Sequence, residues 1–299
     1  MRMTWQTFIP TILKAMRPRQ WIKNVLLLAG LLLSRRLLDP VSVERALAGF
    51  ALFCLLSGAV YLLNDVLDRE RDRRHPRKCK RPIASGALPI PLAVAAMIAI
   101  ALAALAGAFA LSLYFGMCAL AYLLLMIPYS VALKEVFLID TLIIAMGFII
   151  RAVSGVIVLR TPQTAVPLTS WFVICVMFLA LFLAFSKRRS ELVNLDAEAV
   201  RFRPVLALYS LEMMDKAIGI CASGAILAYM LYATSLTNPW MMLTTIPFVI
   251  YGIFRYLHLV YNRQSGEAPE LVLTTDLPLL GCVVLWTLAL MLVYFPDHM

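Results

Sequence analysis

The sequence predicts an all-α polytopic membrane protein of about nine transmembrane helices, and three observations predict it. Hydrophobic residues make up 62% of its 299 positions and charged residues 15%, too little polar surface for a water-soluble domain of this length. Apolar runs recur at about 20 residues, the length that crosses a hydrocarbon core. With the N-terminus in the cytoplasm, 22 of the 27 Lys and Arg residues fall in inward-facing segments, as the positive-inside rule requires. No period-two alternation favours a barrel. The chain reads as one transmembrane catalytic domain, 1–299, without internal repeat, low-complexity tract or appended soluble domain.

Taken in order, the apolar runs are about 21–38, 43–63, 91–111, 113–133, 137–158, 168–186, 208–232, 238–260 and 276–295. The first follows a basic start and lacks a small-residue cleavage signature, so it reads as a retained span. The tight divisions are at Ser112 and between Pro128 and Lys134. Nine crossings leave the N-terminus inside and the C-terminus outside an inner (plasma) membrane, with cytoplasmic loops at about 64–90 and 187–207. Each of those loops carries charge close to a helix end, as an embedded enzyme with one polar mouth would. The six cysteines show no C-x-x-C spacing, so neither a disulfide framework nor a zinc site is indicated. Nothing points to a nucleic-acid partner, and a homo-oligomer is left open.

The densest chemistry lies between Asn64 and Arg81. Asn64, Asp68 and Asp72 drift only about 80° around a helix axis, so they project as one row of oxygens, with Asp65 beside them. An all-oxygen set suits Mg²⁺, which borrows further oxygens from a substrate phosphate. Lys78 and Arg81 follow where such phosphates need counter-charge. The plain alternative is a solvated flanking loop, which accounts for the basic residues but not for the spaced acids.

Other positions read two ways. Lys23, in Arg17-Pro18-Arg19-Gln20-Trp21-Ile22-Lys23-Asn24, is an interfacial anchor or a group turned back into the polar mouth. Tyr129 and Lys134 are a belt tyrosine and flanking lysine or a phosphate-binding pair. Arg151 lies within a span and needs a partner or a polar cavity. Asp140, about 16 Å away along the same helix, is one candidate for an ion pair. Lys187, Arg188 and Glu191 are a positive-inside flank or a basic clamp for a second phosphate.

At these residues the chain resembles the UbiA-type membrane prenyltransferase superfamily, whose first motif N-D-x-x-D-x-x-x-D is met by Asn64, Asp65, Asp68 and Asp72. The resemblance implies helices around a central cavity, a Mg²⁺-bound diphosphate and a lateral opening for a lipid chain. The second acidic motif of that superfamily is replaced here by Ser186-Lys187-Arg188-Arg189-Ser190-Glu191. That substitution, with R-P-R-Q-W-I-K-N, V-Y-L-L-N-D, Y-S-V-A-L-K, I-I-R-A-V-S-G and G-E-A-P-E-L-V-L-T-T-D in order, resembles the decaprenyl-phosphate phosphoribosyltransferase branch. The branch implies transfer of 5-phosphoribosyl from phosphoribosyl diphosphate to a polyprenyl phosphate, releasing pyrophosphate, for cell-envelope arabinan precursors. It implies Asn64, Asp68 and Asp72 at Mg²⁺ and its diphosphate, with Asp65 binding the metal directly or through another ligand. Lys78 and Arg81 are expected at diphosphate oxygens, and Lys187, Arg188, Lys134 and Tyr129 at the ribose or acceptor phosphate. Glu191 is expected to bond ribose hydroxyls or orient Arg188. Two rival readings remain: an aromatic or haem prenyltransferase on the same scaffold, and a lipid or solute transporter.

Overall fold

A computed structural model describes residues 5–161, 166, 168–202, 204–235, 239–262, 272 and 274–294. Its helices are α1 (Trp5–Ala15), α2 (Ala29–Leu33), α3 (Pro40–Leu67), α4 (Arg69–Arg74), α5 (Ile90–Leu111) and α6 (Leu113–Val131), followed by α7 (Ile139–Ile157) and α8 (Ser170–Phe202). The chain closes with α9 (Leu211–Thr234), α10 (Pro239–Leu243), α11 (Ile246–Asn262) and α12 (Leu277–Tyr294). Among the described residues eight stretches are long and apolar enough to cross a membrane, and they answer to the second through ninth expected spans. This is an integral membrane protein.

The first expected span takes a different form. Residues Pro18–Leu28 run as a 3₁₀ helix and only then enter the short α2. A 3₁₀ turn rises about 2.0 Å per residue against 1.5 Å in an α-helix, so the whole stretch reaches about 30 Å, one hydrocarbon core, with few residues. Its path is set by backbone contact with α7. A Cβ on Gly155 would fall on the carbonyl of Leu27, and one on Gly30 on the carbonyl of Gly155. Only glycine permits that approach.

Two further differences concern ends. The polar stretch after residue 186 is not a loop: α8 runs unbroken to Phe202. Lys, Arg, Glu and Leu are good helix formers, and no Gly or Pro interrupts them before Pro204. The eighth span is divided, α10 ending at Leu243 and α11 opening at Ile246. At Ser112 one extended residue, φ −169° and ψ 139°, turns α5 into α6, as the sequence predicts.

The core lies in two halves. Phe53 stacks on Phe115 and Tyr122 at 5.6 Å between α3 and α6, and Phe182 meets Tyr256 at 5.3 Å between α8 and α11. At one end Arg45 donates to the carbonyls of Val158 (2.8 Å) and Leu111 (3.2 Å), capping the C-termini of α7 and α5. The C-terminus of α3 and the N-terminus of α7 therefore share the opposite end, where the acidic residues stand.

Candidate active site

The last turn of α3 brings the acids into the site, and the backbone carries their spacing across its end. The amide of Asp68 donates to Asn64 (2.9 Å) and that of Asp72 to Asp68 (2.8 Å), so α3 and α4 act as one i,i+4 ladder. Within that row the side chains separate. Asp65 and Asp72, two turns apart on one face, are both buried and share Arg81, at 3.1 Å and 2.5 Å. Asp65 also pairs with Arg17, whose guanidinium lies 5.0 Å over the Tyr61 ring. Asp68 turns the other way, to the Lys134 ammonium at 2.7 Å. The Asn64 amide donates to its own helix at the carbonyl of Val60.

Lys134 sits on the 3₁₀ turn Leu133–Glu135, and Glu135 in turn binds Arg71 at 2.8 Å. Five residues beyond this turn, Asp140 anchors a second cluster. It accepts from Arg188 Nε at 2.8 Å and from the Tyr209 hydroxyl at 2.7 Å, while Arg188 also donates to Glu191 at 2.9 Å. Arg188 is 1% exposed and Asp140 fully buried. Burial and the Asp140 carboxylate push the Tyr209 phenol up to about 12. Arg188 is thus bound by two carboxylates, and its neighbour Lys187 is partly exposed.

Arg151 finds its partners in neutral groups. Its Nε donates to Asn24 Oδ1 (2.7 Å), Nη1 to the carbonyl of Gly147 (2.9 Å) and Nη2 to the Tyr122 hydroxyl (2.8 Å). Asn24 holds Ser57 through its amide at 3.1 Å. The candidate pairing of Arg151 with Asp140 is not what the helix makes: eleven residues apart on α7, each finds its side-chain partners outside that helix. This network ties the 3₁₀ stretch to α3, α6 and α7.

Of the remaining predicted residues, Lys78 opens the 3₁₀ turn Lys78–Lys80 beside Arg81, and Lys23 and Tyr129 are half-buried. Most of the motif ending at Asp276 lies outside the described residues; Asp276 itself makes a two-pronged pair with Arg255 at 3.0 and 2.8 Å. Arg17 was legible only as the first residue of a basic anchor, and Tyr209 carried no signal at all.

Among the described residues no group of three Asp, Glu, His or Cys side chains is gathered as a metal cage. The donor chemistry nevertheless fits a hard divalent cation. Every oxygen of the row belongs to Asp or Asn, and Asp65 Oδ2 is buried without a hydrogen-bond partner. Such an orphaned carboxylate oxygen is what a Mg²⁺ ligand would supply.

Buried acids and arginines thus stand together at one end of a helical membrane bundle, and comparison gives the family. The sequence model of the UbiA prenyltransferase family matches residues 25–275, and the chain belongs to that family. Among characterised relatives it is similar to decaprenyl-phosphate phosphoribosyltransferase of Mycobacterium tuberculosis, 33% identical over 88% of this chain and 87% of that one. The protein of the same name in Corynebacterium glutamicum is 29% identical over 95% of this chain and 86% of that one. Among solved structures, a UbiA homologue from Archaeoglobus fulgidus bound to GPP and Mg²⁺ superposes with a TM-score of 0.71 at 19% identity, over 95% of this chain and 99% of that one. That likeness establishes the fold.

Proposed function

We propose that the chain transfers the 5-phosphoribosyl group of phosphoribosyl diphosphate to a polyprenyl phosphate, releasing pyrophosphate in a Mg²⁺-dependent reaction. The observation that carries this reading is the end of α8, where Ser186–Glu191 stands basic in place of a second acidic motif. A donor with a diphosphate at one end and a phosphate at the other needs one metal site and one basic site. The names of the relatives support the same donor and acceptor.

In this reading Asp65, Asp68 and Asp72, with the Asn64 oxygen, would hold Mg²⁺, and the metal would supply charge neutralisation for the diphosphate. Lys78 and Arg81 bind diphosphate oxygens. Lys187, with Lys134 and Tyr129, receives the ribose phosphate or the acceptor phosphate. An oxygen of the polyprenyl phosphate forms the new bond to the anomeric carbon as the bond to the diphosphate breaks, and pyrophosphate takes the electron pair. The attacking phosphate is already anionic near neutral pH and needs no strong base. The protein's contribution is alignment and charge stabilisation.

The basic asymmetry supports a plasma-membrane orientation with the N-terminus and the acidic row in the cytoplasm and the C-terminus outside. Reporter fusions at Lys80 and after Asp297 should read cytoplasmic and external respectively. The functional test is purified protein with Mg²⁺, labelled phosphoribosyl diphosphate and a polyprenyl phosphate. Label in the lipid supports the reading. Label transfer only from a prenyl diphosphate, to an aromatic acceptor, replaces it with the prenyltransferase alternative.

A further inference from the structure

Three carboxylates of the acidic row, Asp65, Asp68 and Asp72, face the cations Arg17, Arg81 and Lys134, with Arg71 also 4.0 Å from Asp68. Arg17 reaches the row from the start of the 3₁₀ stretch. It stands 48 positions from Asp65 and holds a left-handed backbone, φ 55° and ψ 67°. A non-glycine residue adopts that conformation against a steric penalty, and Pro18 disfavours the right-handed alternative. The strained backbone therefore aims a guanidinium at a 2%-exposed carboxylate whose second oxygen has no partner.

Consider what each half of a metal–diphosphate ligand would meet. A divalent cation alone, taken by Asp65 Oδ2, stands beside guanidinium charges already on Oδ1, with no anion to offset the added charge. A diphosphate alone has to draw Arg17 and Arg81 away, leaving buried carboxylates unpaired. Together the two halves leave every charge with a partner. Resting on the metal reading above, we propose that Arg17 and Arg81 are exchange partners. They hold the carboxylates until metal and diphosphate arrive together, then pass the carboxylates to the metal and turn to the diphosphate oxygens. Arg17 is thereby a diphosphate-binding residue, and binding of metal and diphosphate is coupled through the protein.

Arg17 is the residue to change, because Asp65 keeps Arg81 when Arg17 is lost. The full-length protein in detergent is titrated with Mn²⁺, free Mn²⁺ being counted by electron paramagnetic resonance. The titration is run with and without pyrophosphate and corrected for the Mn²⁺–pyrophosphate complex formed in protein-free buffer. Arg17→Gln should bind Mn²⁺ alone about tenfold more tightly than the wild type, and the enhancement given by pyrophosphate should shrink by about tenfold. Arg17→Lys, which holds a carboxylate without the planar fork, should shift both in the same directions by about threefold. Arg17→Lys also decides the matter if the Gln variant does not elute as a single species. Unchanged or weaker binding of Mn²⁺ alone in these variants overturns the exchange while leaving the metal reading standing. Wild-type protein that takes up no Mn²⁺ in either condition overturns both.

Discussion

Two clusters of opposite charges occupy the same end of the bundle, and they are built on different terms. Around Arg188 both Arg188 and Asp140 are buried almost completely, and Tyr209 and Glu191 complete the set. Around Asp65 the carboxylates are buried but their cations are not: Arg17 is 26% and Arg81 27% exposed, and one oxygen of Asp65 goes unpartnered. A saturated, dry cluster fixes helices in place. An unsaturated one with wet cations can trade its partners. The comparison sets two arrangements of the same chemical types side by side.

The largest effect expected from that difference is on folding. Arg188→Met leaves Asp140 buried without its cation, a loss of about 3–5 kcal/mol, read as a collapse in yield and melting temperature in detergent. Arg17→Gln, at a partly exposed pair, should change stability by less than about 1 kcal/mol. If the two variants melt alike, the contrast between the clusters is wrong.

Next in size is an effect on turnover alone. Asp72→Asn should lower turnover by about a hundredfold or more, with melting temperature near that of the wild type. A variant that loses fold and activity together would move Asp72 from the site to the scaffold.

Asn24→Leu tests a third, neutral arrangement. It strips Arg151 of its side-chain carbonyl acceptor in the interior and should destabilise by about 1–3 kcal/mol. Loss of donor binding without loss of stability would instead return Arg151 to the substrate.

Lys187→Gln sharpens the comparison within α8. It should raise the donor KM about tenfold at nearly constant kcat, whereas its neighbour Arg188 affects folding first.

The smallest effect concerns Tyr209, whose bond to Asp140 is worth about 1 kcal/mol. Because its phenol is raised to about 12 in the fold from about 10 unfolded, its contribution is complete below pH 10 and fades as pH climbs toward 12. Tyr209→Phe should therefore cost the same stability at pH 7 and pH 9. A penalty that vanishes by pH 9 would show that the hydroxyl is not held by the carboxylate.

Much of this architecture was legible in the chain itself. Eight spans, the Ser112 turn and the family followed from apolar run length and an ordered set of short motifs. The gathering of the acids at the end of the second expected span was legible too. Its internal division was not: Asp65 with Asp72 on one side and Asp68 on the other depends on where Arg81 and Lys134 arrive. The break of the first span into a 3₁₀ stretch was equally hidden, since hydropathy counts residues and not the rise of each.

The sequence by itself determined class, spans and the inventory of charged groups, because those depend on local periodicity and on the thickness of a bilayer. Only the tertiary structure decided which charge meets which. Arg188 reaches Asp140 across 48 positions, and Arg151 meets Asn24 across 127. No local rule relates residues so far apart. In an apolar interior each buried charge must find compensation, and the helix that happens to pack beside it supplies the partner.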